Sequence, residues 1–331
     1  MNEELARLVD GFRASQAIHA AVELGVPDLL GDGERTSDAL AEATGADPST
    51  LYRLLRALAS LGVLHEAEGG RFSLTPLGRP LRGDVPGSLR GWTRLVGREY
   101  VWRSWGNLTT AVRNGENSFR ALYGADVFEW RAEHPDESAI FDEAMRSLTA
   151  PSTAALLAAY DFGRFGTIVD VGGGNGTLLA LLLAAHPAAR GILFDQAHVV
   201  AGADSVLAAA GVADRCEIVA GSFFENVPTG GDAYVLKSII HDWEDEESVA
   251  ILRGCRASMG PAAVVLLIER DLGGPNENPA AKLSDLNMLV MPGGLERSED
   301  EYAALFEQAG LRYTSTTVTA TGHAVIESVP A

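Results

Sequence analysis

Apolar residues in the first hundred positions recur every three or four residues, which is the spacing of one buried helix face. Thr36 and Gly45 bound a short amphipathic stretch, and Asp47 precedes a second one, as side-chain caps and glycine stops do. Two β-rich runs between residues 62 and 75 surround a glycine turn. This order of helix, turn, helix and β-hairpin predicts a winged-helix-like domain over residues 1–92.

A helical pattern continues over residues 93–150 and is rich in aromatic side chains. Aromatic residues at helical spacing pack in a core or line a pocket for a flat ligand, and both interpretations stay open. Because the segment directly precedes the part of the chain with the clearest ligand-binding motif, we expect it to contribute to the acceptor pocket.

From Gly166 onward the pattern changes to short apolar runs separated by glycine and proline. The predicted strands cover 168–171, 192–194, 218–220, 233–236 and 264–268, and the helices between them cover 177–186, 200–210 and 248–257. Strands that alternate with helices predict an α/β fold with a doubly wound, mostly parallel sheet. We place this Rossmann-like sheet within residues 93–331.

Charge and cysteine content limit the partners. The chain of 331 residues has a formal net charge of −19, which repels phosphate backbones and anionic membrane surfaces. The winged-helix-like segment from Glu34 to Arg82 has six acidic and six basic residues, without the basic excess of a DNA-binding face. The chain begins with no apolar signal segment, and Cys216 and Cys255 form no CxxC pair. We expect a cytoplasmic protein that binds neither nucleic acid nor membranes and holds no metal.

The most specific local motif is a glycine loop at the end of the first predicted strand of the sheet, Asp170-x-Gly172-x-Gly174-x-Gly176. Ligands of open α/β sheets bind at this end of the strands. The dinucleotide fingerprint needs a further glycine three positions after Gly174, which argues against a nicotinamide oxidoreductase. An acid followed by alternate glycines suits a ligand with a charged amine and no phosphate, such as S-adenosylmethionine. Asp195, at the end of the next strand, is placed to hold the ribose hydroxyls.

Several motifs together resemble those of the plant-type and bacterial small-molecule O-methyltransferases that depend on S-adenosylmethionine. They lie at 169–179, 194–195, 221–228, 236–243 and 293–298, and the resemblance covers nearly the whole chain. It implies a winged-helix dimerisation domain, a class I methyltransferase domain and a homodimer formed through the N-terminal domain. It also implies S-adenosyl-L-methionine as methyl donor, S-adenosyl-L-homocysteine as product, and an antibiotic or other secondary-metabolite pathway.

The resemblance assigns a role to each matching position around the cofactor. The cofactor-binding residues it implies are Asp170, Gly172, Gly174, Asp195, Ser222, Phe223 and Lys237. Ser222 stands where family members carry an aspartate next to the adenine, and a serine offers a shorter, neutral contact. We therefore expect the adenine contacts to differ from the family pattern here.

The resemblance also identifies the catalytic group. It implies that His241 is the general base and that Glu269 and Glu296 flank it. Asp242 either contacts the acceptor or caps the helix that begins near Glu244, and both roles stay open. Acceptor-binding candidates are Asp242, Met288, Met291 and Met145, with core filling as the alternative for the methionines.

These residues suit methyl transfer to a hydroxyl. A phenol has a pKa of about 10 and an ordinary histidine about 6.5, so a neutral imidazole can take the proton as the oxygen reacts. A carboxylate beside the ring orients it, as in a Ser-His-Asp triad. The alternatives are an N-methyltransferase or another cofactor-assisted tailoring enzyme on the same fold, and a winged-helix transcriptional regulator.

Overall fold

The computed structural model describes residues 2–331, apart from the side chains of residues 150 and 151. The chain forms two compact units that interleave along the sequence. The first comprises Met1–Arg103 and Arg131–Leu148, and the second comprises Ser104–Trp130 and Thr149–Ala331. The sequence predicted a single domain boundary, at residue 92, whereas the two units of the structure alternate along the chain. The interleaving arises because residues 131–148 pack with the first unit, for example through the ion pair between Arg94 and Glu143.

The first part of the chain is mainly helical. Its helices are α1 (Glu3–Val9), α2 (Gly11–Glu23), α3 (Val26–Leu30), α4 (Ser37–Thr44), α5 (Pro48–Ser60), α6 (Arg90–Val96), α7 (Glu99–Gly106), α8 (Leu108–Asn114), α9 (Ser118–Tyr123), α10 (Val127–Ala132) and α11 (Pro135–Ala159). Its strands are β1 (Glu34–Thr36), β2 (Leu64–Ala67) and β3 (Arg71–Leu74).

The predicted winged-helix elements are present and begin at the expected caps. The Thr36 side chain accepts a hydrogen bond from the Ala39 N–H at the start of α4, and Asp47 accepts one from Thr50 at the start of α5. The hairpin is extended to an antiparallel sheet of order β1-β3-β2. Strand β1 was not predicted, because it has three exposed residues and no apolar pattern.

The rest of the chain contains the large sheet. Its strands are β4 (Thr167–Val171), β5 (Arg190–Asp195), β6 (Cys216–Ala220), β7 (Ala233–Lys237), β8 (Val264–Arg270), β9 (Leu311–Val318) and β10 (His323–Pro330). Its helices are α12 (Thr177–Ala185), α13 (Ala197–Val200), α14 (Ala203–Ala209), α15 (Asp245–Ser258), α16 (Pro279–Val290) and α17 (Glu299–Gln308). The helix predicted over 200–210 is present as α14, and the short helix α13 before it was not predicted.

The sheet has the predicted doubly wound arrangement. Its strand order is β6-β5-β4-β7-β8-β10-β9, in which the first five strands are parallel and β10 pairs antiparallel with β8 and β9. Neighbouring residues of a strand face opposite sides, so β7 and β8 supply two separate apolar cores. Leu236 and Leu267 belong to one, and Val235 and Leu266 to the other. Because β4, β5, β7 and β8 run parallel, their carboxyl ends meet at one edge of the sheet.

Within residues 2–331, no helix combines the length and the apolar character that crossing a bilayer requires.

Candidate active site

The glycine loop after β4 lies close to the end of β5. Gly172, Gly174 and Gly176 all have positive φ angles, which side chains other than glycine rarely adopt. The Gly174 N–H donates to Asp195 Oδ2 at 2.8 Å, so the loop and the predicted ribose-binding acid are joined directly. A Cβ at Gly174 would meet no atom within 4 Å, so this part of the loop borders open space.

Asp170 lies under this loop and is almost fully buried. Burial and the nearby Asp195 raise the pKa of its carboxyl to about 7, although Lys237 opposes the shift. Its Oδ2 atom has no hydrogen-bond partner in the described part of the chain. This buried oxygen can accept a hydrogen bond from a bound ligand.

Lys237 ends β7 on the same side of the site. Burial lowers the pKa of its ammonium, although Glu269 and Asp170 oppose that change. The predicted cofactor residues of β4, β5 and β7 thus lie at one edge of the sheet. Together with the glycine loop, they offer what a charged amino-acid moiety needs and what a ribose needs, so the residues present fit S-adenosylmethionine.

Ser222 and Phe223 follow β6 at the next position along the edge. The Ser222 hydroxyl accepts a hydrogen bond from the Phe224 N–H at 3.3 Å, so this side chain stabilises its own turn. A Cβ at Gly172 would lie 3.7 Å from the Phe223 ring, which places this ring beside the glycine loop. Phe223 also packs edge-on against Trp243, with 6.0 Å between ring centres. An aromatic surface therefore stands where the resemblance implies the adenine.

His241 lies on a short turn, residues 239–243, between β7 and α15, which we call the His241 turn. Its ring is buried, and its Nδ1 atom lies 2.9 Å from Glu269 Oε2 and 3.5 Å from Glu296 Oε2. Nδ1 and these two carboxylate oxygens are buried and have no other hydrogen-bond partner in the described part of the chain, so the ring and the two acids face one another. The structure thus brings together the three residues predicted to be catalytic.

The charges around His241 determine its protonation. Burial alone lowers the pKa of the ring, but Glu269, Asp242 and Glu296 outweigh it and raise the pKa well above the ordinary value of 6.5. For Glu296, burial opposes a lower pKa, and the contacts with His241 and Ser284 still lower it. The three carboxylates therefore favour the protonated form of the ring.

These three side chains could also act as metal ligands. His241, Glu269 and Glu296 each offer a ligand atom, and these atoms lie within 4.8 Å of one another. The separation of 2.9 Å between Nδ1 and Oε2 is the length of an N–H···O contact. A proton between imidazole and carboxylate accounts for this distance, and we interpret the cluster as one that holds a proton.

Glu269 has two functions, one for each oxygen. Its Oε1 atom accepts the backbone N–H groups of Ile239 and Ile240 at 3.3 and 3.0 Å, while Oε2 faces the imidazole. The carboxylate therefore fixes both the backbone and the ring of the His241 turn. Sequence reasoning gave Glu269 only the second function, because backbone contacts leave no motif of their own.

Helix α16 presents one face to this cluster. Ser284, Asn287 and Met288 share a face of α16 by their spacing of three and four residues, and Met291 follows at the C-cap of the helix. The Ser284 hydroxyl donates to Glu296 Oε1 at 2.8 Å, which directs this face towards the predicted catalytic cluster. Met288 and Met291 are buried, in agreement with either role left open for them.

Asn287, which the sequence did not suggest, is fixed by Trp105. The indole Nε1 donates to Asn287 Oδ1 at 3.2 Å. Because an indole N–H can only donate, it also sets the orientation of the amide. The Asn287 NH₂ group has no acceptor among residues 2–331.

Two other predicted acceptor residues lie as follows. Asp242 Oδ1 is 3.5 Å from His241 Nε2, the ring nitrogen that does not face the glutamates. The N-cap of α15 is Glu244, so Asp242 does not take the capping role that was one of its two alternatives. Met145 lies on α11 in the first unit, and its predicted role stays a prediction.

Arg297 was part of a quoted motif but was given no role. Its side chain is 1% exposed and makes five hydrogen bonds, to the Asp245 carboxylate and to the backbone carbonyls of Ile240, Trp243 and Leu295. Gly294 packs directly against the same turn. A Cβ there would lie 2.1 Å from the His241 carbonyl oxygen.

Comparison with protein-family models gives two matches along the chain. An O-methyltransferase dimerisation domain matches residues 6–82, and an O-methyltransferase domain matches residues 105–312.

Individual relatives agree with the family matches. The phenazine O-methyltransferase PhzM of Lysobacter antibioticus is 40% identical over 326 residues, which cover 98% of this chain and 95% of that protein. The 8-amino-8-demethylriboflavin N,N-dimethyltransferase of Streptomyces davaonensis is 37% identical, covering 90% and 87% of the two chains. The crystal structure of the O-methyltransferase NcsB1 from neocarzinostatin biosynthesis, in complex with S-adenosylmethionine and 2-hydroxy-5-methyl naphthoic acid, matches with a TM-score of 0.82. It is 33% identical, and the match covers 96% of each chain.

Proposed function

This chain belongs to the S-adenosylmethionine-dependent O-methyltransferase family, and on that premise we propose that it methylates a hydroxyl of a small aromatic natural product with His241 as general base. The observation that carries the proposal is the buried contact of His241 Nδ1 with Glu269 at the edge of the sheet that also holds the glycine loop. Relatives named for aromatic substrates support the acceptor class. A secondary-metabolite pathway fits the same relatives.

The bound cofactor supplies a methyl group on a positively charged sulfur, which is ready for direct in-line displacement. The glycine loop and Asp170 would hold its amino-acid part, Asp195 its ribose, and Phe223 its adenine. Lys237 would lie near the carboxylate of the cofactor's amino-acid part or near its ribose. These residues fix one reaction partner, which removes much of the entropic barrier to displacement.

The second partner is the acceptor hydroxyl. Nδ1 of His241 is occupied by the two glutamates, so Nε2 is the atom that receives the hydroxyl proton. Glu269 and Glu296 stabilise the imidazolium that forms, as the acid of a triad does. We propose that Met288 and Met291 contact the flat face of the acceptor, and that Asp242 and the Asn287 amide contact its polar groups.

The discriminating experiment offers the enzyme two aromatic compounds with one ring skeleton, one carrying a hydroxyl and the other an amine at the same position. We expect the hydroxyl compound to gain one methyl group by mass spectrometry, at a rate at least about tenfold above that of the amine. The reason is that a general base removes the hydroxyl proton and so makes the oxygen a strong nucleophile, whereas it gives a neutral amine no such acceleration. The reverse preference would favour N-methylation, for which the riboflavin-type relative is the precedent.

The N-terminal part of the chain carries the dimerisation domain, and we propose that it joins two copies into a homodimer. Four apolar side chains of α1 and α2 are more than half exposed, namely Leu5, Leu8, Val9 and Phe12. Residues 1–92 would form this domain, with 93–331 as the catalytic part. Light scattering of the wild-type protein should give twice the mass of one chain. The double variant L8D/F12D should give the mass of a single chain. A monomeric wild-type protein would contradict the proposal.

We also propose a cytoplasmic location. The unpaired Cys216 and Cys255 suit a reducing compartment.

A further inference from the structure

The His241 turn is a short connection that must hold a catalytic ring in one place. It is a single turn of 3₁₀-helix, Ile240–Asp242, between β7 and α15. Such a turn has few hydrogen bonds of its own, so its position depends on groups that contact it from outside. The polar contacts of its backbone therefore show which residues determine where the ring lies.

The N–H side of the turn is held by Glu269, as described above. The carbonyl side is held by Arg297. Its Nη1 atom donates to the Ile240 carbonyl at 3.1 Å, and its Nη2 atom donates to the Trp243 carbonyl at 2.9 Å. These carbonyls lie one residue before and two residues after His241, so the guanidinium fixes the turn on both sides of this residue. The Ser248 hydroxyl lies 3.4 and 3.3 Å from the same two carbonyl oxygens, which are longer contacts than those of Arg297.

The guanidinium is itself fixed by hydrogen bonds. Nε and Nη2 both donate to Asp245 Oδ1, at 3.0 and 2.7 Å, and Nη1 also reaches the Leu295 carbonyl. A guanidinium has five N–H groups in a planar fork, and five contacts use them. Lysine has the same charge but no fork, so it cannot hold two carbonyls and the carboxylate together.

We propose that Arg297 is a positioning residue for methyl transfer, because it fixes the carbonyl side of the His241 turn and thereby holds the imidazole against Glu269 and Glu296. The inference rests on the proposed role of His241. Arg297 touches neither the ring nor the reacting atoms. It acts through the backbone, and it shares the segment 294–297 with Glu296, which contacts the ring directly.

The test compares Arg297→Lys with wild type in steady-state kinetics at saturating cofactor. A catalytic group displaced by about 1 Å can cost about 10²-fold in rate. We expect kcat to fall by about this factor while KM for the acceptor and Kd for S-adenosylhomocysteine stay within about twofold of wild type. The matched control is Glu246→Ala, an exposed acid at the same helix start, which should leave kcat unchanged.

A second readout separates positioning from a general effect on folding. Glu269 on β8, Glu296 after α16 and Asp242 on its own turn raise the pKa of His241. His323 on β10 also interacts with the ring, and Arg270 at the end of β8 pairs with Glu296. When the ring loosens from the two glutamates, its pKa should move down towards the ordinary value, and the pH at which kcat is half-maximal should fall with it. A residue that only supports folding would leave this pH unchanged.

If Arg297→Lys does not fold, Asp245→Ala serves instead, since its side chain is 71% exposed and its loss frees one end of the guanidinium. We then expect a smaller drop in kcat with the same downward shift in the pH profile. Folded variants with wild-type kcat and an unshifted profile would overturn the proposal. Failure of the proposed function would look different, because His241→Ala would then also keep its turnover.

Discussion

Replacing His241 by alanine is expected to lower kcat by about 10²- to 10⁴-fold, which is the usual contribution of a positioned general base. Binding of S-adenosylhomocysteine should remain close to wild type by calorimetry, since the glycine loop and Asp195 lie on other elements. The exposed His198 provides the matched control, and His198→Ala should keep its full rate. Undiminished turnover of His241→Ala would remove the base from the mechanism.

The pH dependence follows from the raised pKa of the ring. Only the neutral imidazole can accept a proton, so turnover should rise with pH through the pKa of His241 and become flat in His241→Ala. A positive charge bound near the ring favours the neutral form, so bound cofactor should shift this rise to lower pH.

The contribution of His241 to folding stability should change with pH in the direction opposite to turnover. Above a pH of about 6.5 the folded chain binds a proton on His241 that the unfolded chain has lost. The stability that this proton contributes is fully present below that pH, and it is lost as the pH rises through the raised pKa of the folded state. Thermal unfolding without cofactor should therefore show the difference between wild type and His241→Ala shrinking as the solution becomes alkaline.

The sequence predicted the parts of the fold that have periodic patterns and clear caps. The five parallel strands were identified because each is a short apolar run bounded by glycine or proline. Strands β9 and β10 and helices α16 and α17 were not predicted. Strand β9, for example, contains Thr314 to Thr317, a polar run without apolar alternation that pairs with β10.

The candidate site divides in the same way. His241, Glu269 and Glu296 were found by resemblance, and the structure places them in contact. Trp105, Asn287 and Arg297 act through contacts with partners between 52 and 182 positions away in the chain. No local spacing encodes such contacts, because the fold alone brings these partners together.

Gly294 shows how a residue without a side chain constrains the active site. A Cβ built there would lie 2.1 Å from the His241 carbonyl oxygen and 2.4 Å from the Trp243 nitrogen, and both are backbone atoms that cannot rotate away. Non-bonded atoms do not approach so closely, so in Gly294→Ala either the His241 turn or residues 293–297 must move. The first segment carries His241 and the second carries Glu296, so either movement separates these two side chains.

We therefore expect Gly294→Ala to cost about 1–3 kcal/mol of stability, as overpacking of a close contact does. The same variant should lose about 10²-fold or more in kcat, because a displacement of about 1 Å suffices for that. Gly260→Ala is the matched control, since a Cβ there meets no atom within 4 Å and Gly260 has no positive φ. Chemical denaturation and kcat, measured on both variants, test the pair. If Gly294→Ala unfolds at the wild-type midpoint and keeps the wild-type rate, the two backbone segments do not pack as closely as described, and the position of His241 does not depend on this glycine.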